Sequence, residues 1–82
     1  MSARDKVQVF YFYYYEGIKI EVGNKDEIDI RPAGETNTYN LDKAEVLEQL
    51  EGMRDNEKLF GVPKSFMMEC IANAEYREKY NV

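Results

Sequence analysis

Val7-Gln-Val-Phe-Tyr-Phe-Tyr-Tyr-Tyr15 is an uncharged stretch of β-branched and aromatic residues, interrupted only by Gln8. Such a run pays heavily in a helix and fits a pleated, half-buried surface, so the chain is expected to open on a strand. Glu16-Gly17 then supplies a turn, and Ile18-Lys-Ile-Glu-Val22 alternates with the two-residue period of a second strand. Gly23 to Asp26 turns the chain again, Glu27-Ile-Asp-Ile-Arg31 alternates as a third strand, and Pro32-Ala-Gly34 ends it. Residues 36–40 form either a short fourth strand or a loop.

Beyond this point the period changes. Asp42, with Glu45 three residues later, is a capping pair, and Leu41 and Val46 stand at the staple positions around it. A helix is expected to about Met53, with Val46, Leu47, Leu50 and Met53 on one side. Asp55-Asn56 and Gly61 mark its exit, and Pro63 suits the first turn of a second helix running to about Lys79. Its inner stripe is Met67, Cys70, Ile71 and Ala74. The expected fold class is therefore α+β: an antiparallel meander of three or four strands, then two helices packed on one face. With 82 residues, and no linker or repeat, the chain reads as one domain, 1–82.

The length of the first turn determines which aromatic trio is buried. A two-residue loop at Glu16-Gly17 places Tyr13 across from Ile20 and turns the tyrosines inward. A three-residue loop, Tyr15-Glu16-Gly17, places Phe12 there instead. The second choice is favoured on two grounds: Gly17 fills the place a three-residue loop reserves for glycine, whereas a tight primed turn prefers Asn or Asp to Glu at its first position, and a buried Phe strands no hydroxyl. It predicts a core of Phe10, Phe12, Ile18, Ile20, Val22, Ile28 and Ile30. Tyr11 and Tyr13 would then lie outside with Lys19, Glu21, Glu27 and Asp29, and Tyr15 beside them at the turn.

Charge narrows the function classes. The chain carries 16 acidic and 11 basic residues, a net charge of −5, and the whole excess lies in residues 23–60. That segment repels a phosphate backbone and attracts basic protein surfaces, so direct nucleic-acid binding is not expected. Glu45, Glu48, Glu51 and Asp55 recur at three- and four-residue spacing, along about a third of the first helix's circumference. Carboxylates one turn apart repeat at about 5.4 Å, a spacing compatible with a row of phosphates.

Absent chemistry matters as much. With no histidine there is no imidazole base for a serine or cysteine nucleophile and no His-ligated metal site. Asp26, Glu27 and Asp29 match no calcium loop, and the five glycines build no phosphate-cradling motif. Cys70 is the single cysteine and reads as a small buried hydrophobe. No cofactor, metal or catalytic residue is expected. A lone thiol, with no long apolar stretch, suits a cytoplasmic protein rather than a membrane or secreted one.

The expected function is a non-catalytic acidic module that binds a basic protein through Tyr11, Tyr13, Tyr15, Glu21, Glu27, Asp29, Glu45, Glu48, Glu51 and Asp55. Its sharpest form is an inhibitor that mimics DNA and blocks a nucleic-acid-binding protein, of the kind viruses and mobile elements encode. The alternative is a homodimeric accessory subunit joined through the tyrosine-rich sheet face.

Overall fold

A computed structural model describes residues 8–80. Val7 and the six residues before it, where the first strand was expected to begin, lie outside the described residues. Strand β1 spans Phe10–Tyr15, β2 Ile18–Gly23, β3 Glu27–Arg31 and β4 Tyr39–Asp42, followed by helix α1, Lys43–Glu51. A two-residue pair of strands, β5 (Lys58–Leu59) and β6 (Val62–Pro63), then leads into helix α2, Lys64–Tyr80. The four long strands form one antiparallel sheet in the order β1-β2-β3-β4, as the expected α+β meander requires; the fourth strand is present but lies at Tyr39–Asp42, and residues 36–38 are loop.

Alternation explains the core. Ile18, Ile20 and Val22 of β2 and Ile28 and Ile30 of β3 point to one face and are buried. Val46 and Leu50 of α1 and Met67, Cys70, Ile71 and Ala74 of α2 cover them, with Leu59 and Val62 of the small hairpin closing one side. The α2 stripe is the one its sequence spacing predicts. Asp42 ends β4 and caps α1 at once, its carboxylate accepting the Ala44 N–H at 2.8 Å. The first helix stops sooner than its periodicity suggests, at Glu51 with Gly52 as its C-cap.

The facing of β1 is the reverse of the sequence expectation. Tyr13 pairs with Ile20, Tyr11 with Val22 and Tyr15 with Ile18, so the loop has two residues. Glu16 at φ 47° and Gly17 at φ 85° close it. A primed turn of this kind matches the twist of the flanking strands, which offsets the order of 1 kcal/mol that a positive φ costs Glu16. The hydroxyl objection also fails, because α2 meets the tyrosines. The Tyr13 hydroxyl donates to Asn73 Oδ1 at 2.6 Å, and that of Tyr11 donates to Glu78 Oε1 at 3.2 Å. Tyr15 packs on Phe66 with ring centroids 5.0 Å apart.

Phe10 and Phe12 accordingly leave the core. Phe12 is 52% exposed, and the Phe10 ring lies across Gly23, where a Cβ would come within 3.0 Å of it. The small hairpin repeats the turn chemistry, with Phe60 at φ 54° before Gly61 at φ 85°. The sequence pattern marks this segment only as a helix exit.

Truncation tests this facing directly. Tyr13→Ala is expected to lower the unfolding free energy by about 2 kcal/mol and Leu50→Ala by about 3 kcal/mol, whereas Tyr14→Ala costs less than about 1 kcal/mol. Guanidinium unfolding followed by circular dichroism measures all three. A larger loss at Tyr14 than at Tyr13 would reverse the assignment.

Candidate functional site, the open face of the sheet

Both helices pack on the inner face of the sheet, and no described element covers the outer one. The outer face is built by register. Phe12, Glu21, Asp29 and Asn40 stand in a row across β1 to β4, and Tyr14, Lys19 and Arg31 form the row beside it. Phe10 and Glu27 flank the first row. Tyr14, at 62% exposure, and Phe12 are the large apolar surfaces of this face.

Glu21 and Asp29 lie directly opposite each other, a like-charge pair that is unfavourable on a sheet. The neighbours offset it. Lys19 Nζ reaches Glu21 Oε2 at 2.9 Å and sits 5.7 Å from the centre of the Phe12 ring. The Asn40 side-chain amide donates to Asp29 Oδ1 at 2.5 Å and to Glu27 Oε1 at 3.3 Å. The result is a fixed carboxylate cluster bordered by exposed rings, a composition that suits recognition of a cationic surface.

The residues singled out from the sequence are therefore divided among three surfaces. Glu21, Glu27 and Asp29 are on the open face, as expected. Tyr11, Tyr13 and Tyr15 are half-buried on the opposite, helix-covered side, because the two-residue loop reverses their parity. Phe10, Phe12 and Tyr14 take their place on the open face. Gly17 suits the last position of either loop length, so no residue of the turn by itself selects between the two trios.

Glu45, Glu48 and Glu51 are exposed on α1, but α1 buries Val46 and Leu50 against the inner sheet face. Its acids therefore point away from the sheet and lie on a different surface from Glu21, Glu27 and Asp29. Asp55 lies past the end of the helix, in the turn that follows, so it does not extend the stripe. Its carboxylate is 3.9 Å from Lys64 Nζ, which also donates to the Met53 carbonyl at 2.7 Å.

Nothing among the described residues gathers chemistry-bearing side chains further. No three of His, Cys, Asp and Glu come together as a metal site requires. No helix is long and apolar enough to cross a membrane. Burial, with a smaller contribution from the Glu69 carboxylate, pushes the Cys70 thiol up from 9.0 to about 11. The Tyr11 hydroxyl pKa is also raised, first by desolvation and then by the Glu78 carboxylate that accepts its hydrogen bond.

The thiol shift carries a sign. Its folded-state pKa lies above the unfolded one, so the associated stability is fully present below pH 9 and is lost as pH rises towards about 11. Native Cys70 is expected to react with an aromatic disulfide reagent at pH 8 at least about 100-fold more slowly than the denatured chain. Cys70→Ala should lack the thiol's share of the alkaline loss. Equal native and denatured rates would contradict the buried placement.

No family model, curated protein or solved structure matches the chain, so its own residues are what bear on its function.

Proposed function

We propose that this chain is a non-catalytic protein-binding module that presents its open sheet face to a basic partner. The observation that carries this reading is the row Phe12, Glu21, Asp29 and Asn40, where exposed aromatic surface adjoins carboxylates held in place by Lys19 and Asn40. Rigid rings give contact area at low entropic cost, and prearranged carboxylates attract guanidinium and ammonium groups without reorganisation. The net charge of −5 adds long-range steering of the same sign.

Inhibition of a nucleic-acid-binding protein is the sharper form of this proposal. Glu45, Glu48 and Glu51 on α1 offer a second anionic surface on the other side of the molecule, able to occupy a basic groove by itself. A reducing compartment such as the cytoplasm suits the single buried thiol. A homodimer joined face to face is less favoured, since it would set Glu21 and Asp29 near their own copies.

Capture of partners from the cell of origin tests the reading at about 50 mM and about 500 mM salt, conditions between which exposed charge pairs are strongly screened. The wild-type chain is expected to retain basic proteins at low salt and release them at high salt. Phe12→Ser with Tyr14→Ser should reduce capture by about 10-fold or more, a loss of about 1.4 kcal/mol. Capture lost instead with Glu45→Gln, Glu48→Gln and Glu51→Gln would move the site to α1. Capture indifferent to salt and to both sets would overturn the proposal.

A further inference from the structure

The geometry points to a two-fold homodimer formed by antiparallel pairing of β1 with β1 of a second copy, centred on Phe12. This inference concerns the edge of the sheet rather than its face, and it stands without the proposed basic partner.

Strand β1 is the end strand of the sheet, and its outward edge has no partner among the described residues. The Asn24 N–H donates to the Val9 carbonyl at 2.9 Å. Hydrogen-bonded pairs alternate along an antiparallel ladder, so Val9, Tyr11, Tyr13 and Tyr15 direct their backbone groups at β2. Phe10, Phe12 and Tyr14 direct theirs outward. Edge strands in monomers are protected by charge, proline, a bulge or shortness. The other edge follows that rule, since β4 has four residues, includes Asp42 and runs straight into α1. The six residues of β1 carry neither charge nor proline, in a chain that is 33% charged.

What selects a second copy over any other strand is that this side of the molecule complements itself twice. Pairing about Phe12 sets Phe12 against Phe12 and Phe10 against Tyr14 of the other copy. These are the residues whose amides and carbonyls are directed outward, so three pairs form about six hydrogen bonds. The same operation keeps the open faces on one side and sets aromatic against aromatic along the seam.

The β1 tyrosines reach helix α2, which runs antiparallel to β1 just inside the sheet edge, from Phe66 at Tyr15 through Asn73 at Tyr13 to Arg77 and Glu78 at Tyr11. Asn73 is therefore level with the two-fold axis along the strand, and the two α2 helices run antiparallel on either side of that axis without crossing it. Facing each other there, they bring Glu69 of one copy towards Arg77 of the other, a complementary charge pair, and Phe66 towards Tyr80. Glu69, Asn73, Tyr76 and Tyr80 fall on one side of the helix at 100° per residue. Tyr76 and Tyr80 are 57% and 55% exposed, with rings 4.7 Å apart. The open groove of about 510 Å³ between Tyr13, Phe66, Cys70 and Asn73 lies along this contact and offers room for the second copy's rings. The assembled sheet has eight strands and one continuous aromatic and acidic face.

Sedimentation equilibrium of the full chain at about 100 µM is the primary test, a concentration at which even a micromolar dimer is populated. A mass twice the 9.7 kDa of the chain is expected. Amide exchange at Phe10, Phe12 and Tyr14 should be slow although these groups point away from β2. Phe12→Pro removes the central edge donor while leaving the β1–β2 ladder intact, and is expected to be monomeric with an unchanged circular dichroism spectrum. Should that variant fail to fold, Glu69→Arg is read in its place: it weakens dimerisation by at least about 10-fold, and Arg77→Glu added to it restores the dimer. A monomeric wild-type chain, or a dimer that survives the folded Phe12→Pro variant or Glu69→Arg, overturns the inference.

Discussion

Glu16 and Gly17 both adopt positive φ and close the first hairpin in two residues. Strand side chains alternate with period two, so the number of loop residues sets the face of every residue in β1 relative to β2. One more residue would exchange Tyr11, Tyr13 and Tyr15 for Phe10, Phe12 and Tyr14. Three features descend from that parity: the hydroxyls that reach α2, the rings left bare on the outer face, and the backbone groups that point off the edge.

The tyrosines show how a polar tip resolves a packing problem. A phenylalanine at position 13 would fill the same volume but leave Asn73 without its 2.6 Å donor. The sheet edge extends beyond full cover by the helices, so Tyr11, Tyr13 and Tyr15 are only half-buried. At such a margin an amphipathic ring suits better than a purely apolar one, since its body packs and its hydroxyl bonds the helix. The isoleucines of β2 and β3, directly under the helices, carry no polar atom and need none.

The open face is held together by compensation. Glu21 and Asp29 repel across the β2–β3 pair, and Lys19 and Asn40 hold them in place. This costs stability that an apolar or neutral pair would not. The proposed function rests there rather than on the α1 stripe because this face joins fixed carboxylates to exposed rings. The stripe has fewer members than its spacing suggested, because α1 ends at Glu51 and leaves Asp55 in a turn.

Local chemistry determined much by itself. The alternation of residues 18–22 and 27–31, the Asp42 cap and the Met67, Cys70, Ile71 and Ala74 stripe are properties of short segments, and the fold class follows from them. Glu21 and Asp29 were legible as outward residues because each sits between buried neighbours in its own strand, and Glu27 because it shares the alternation of Asp29 two residues on. The facing of β1 was not legible, since every residue of Phe10–Tyr15 is aromatic and the pattern carries no parity of its own. The small hairpin and the early end of α1 were likewise undetermined by local pattern. Tertiary contact decided these. Asn73 and Glu78, some sixty residues away in sequence, supply the hydrogen bonds that make inward tyrosines acceptable, and no local propensity contains that information.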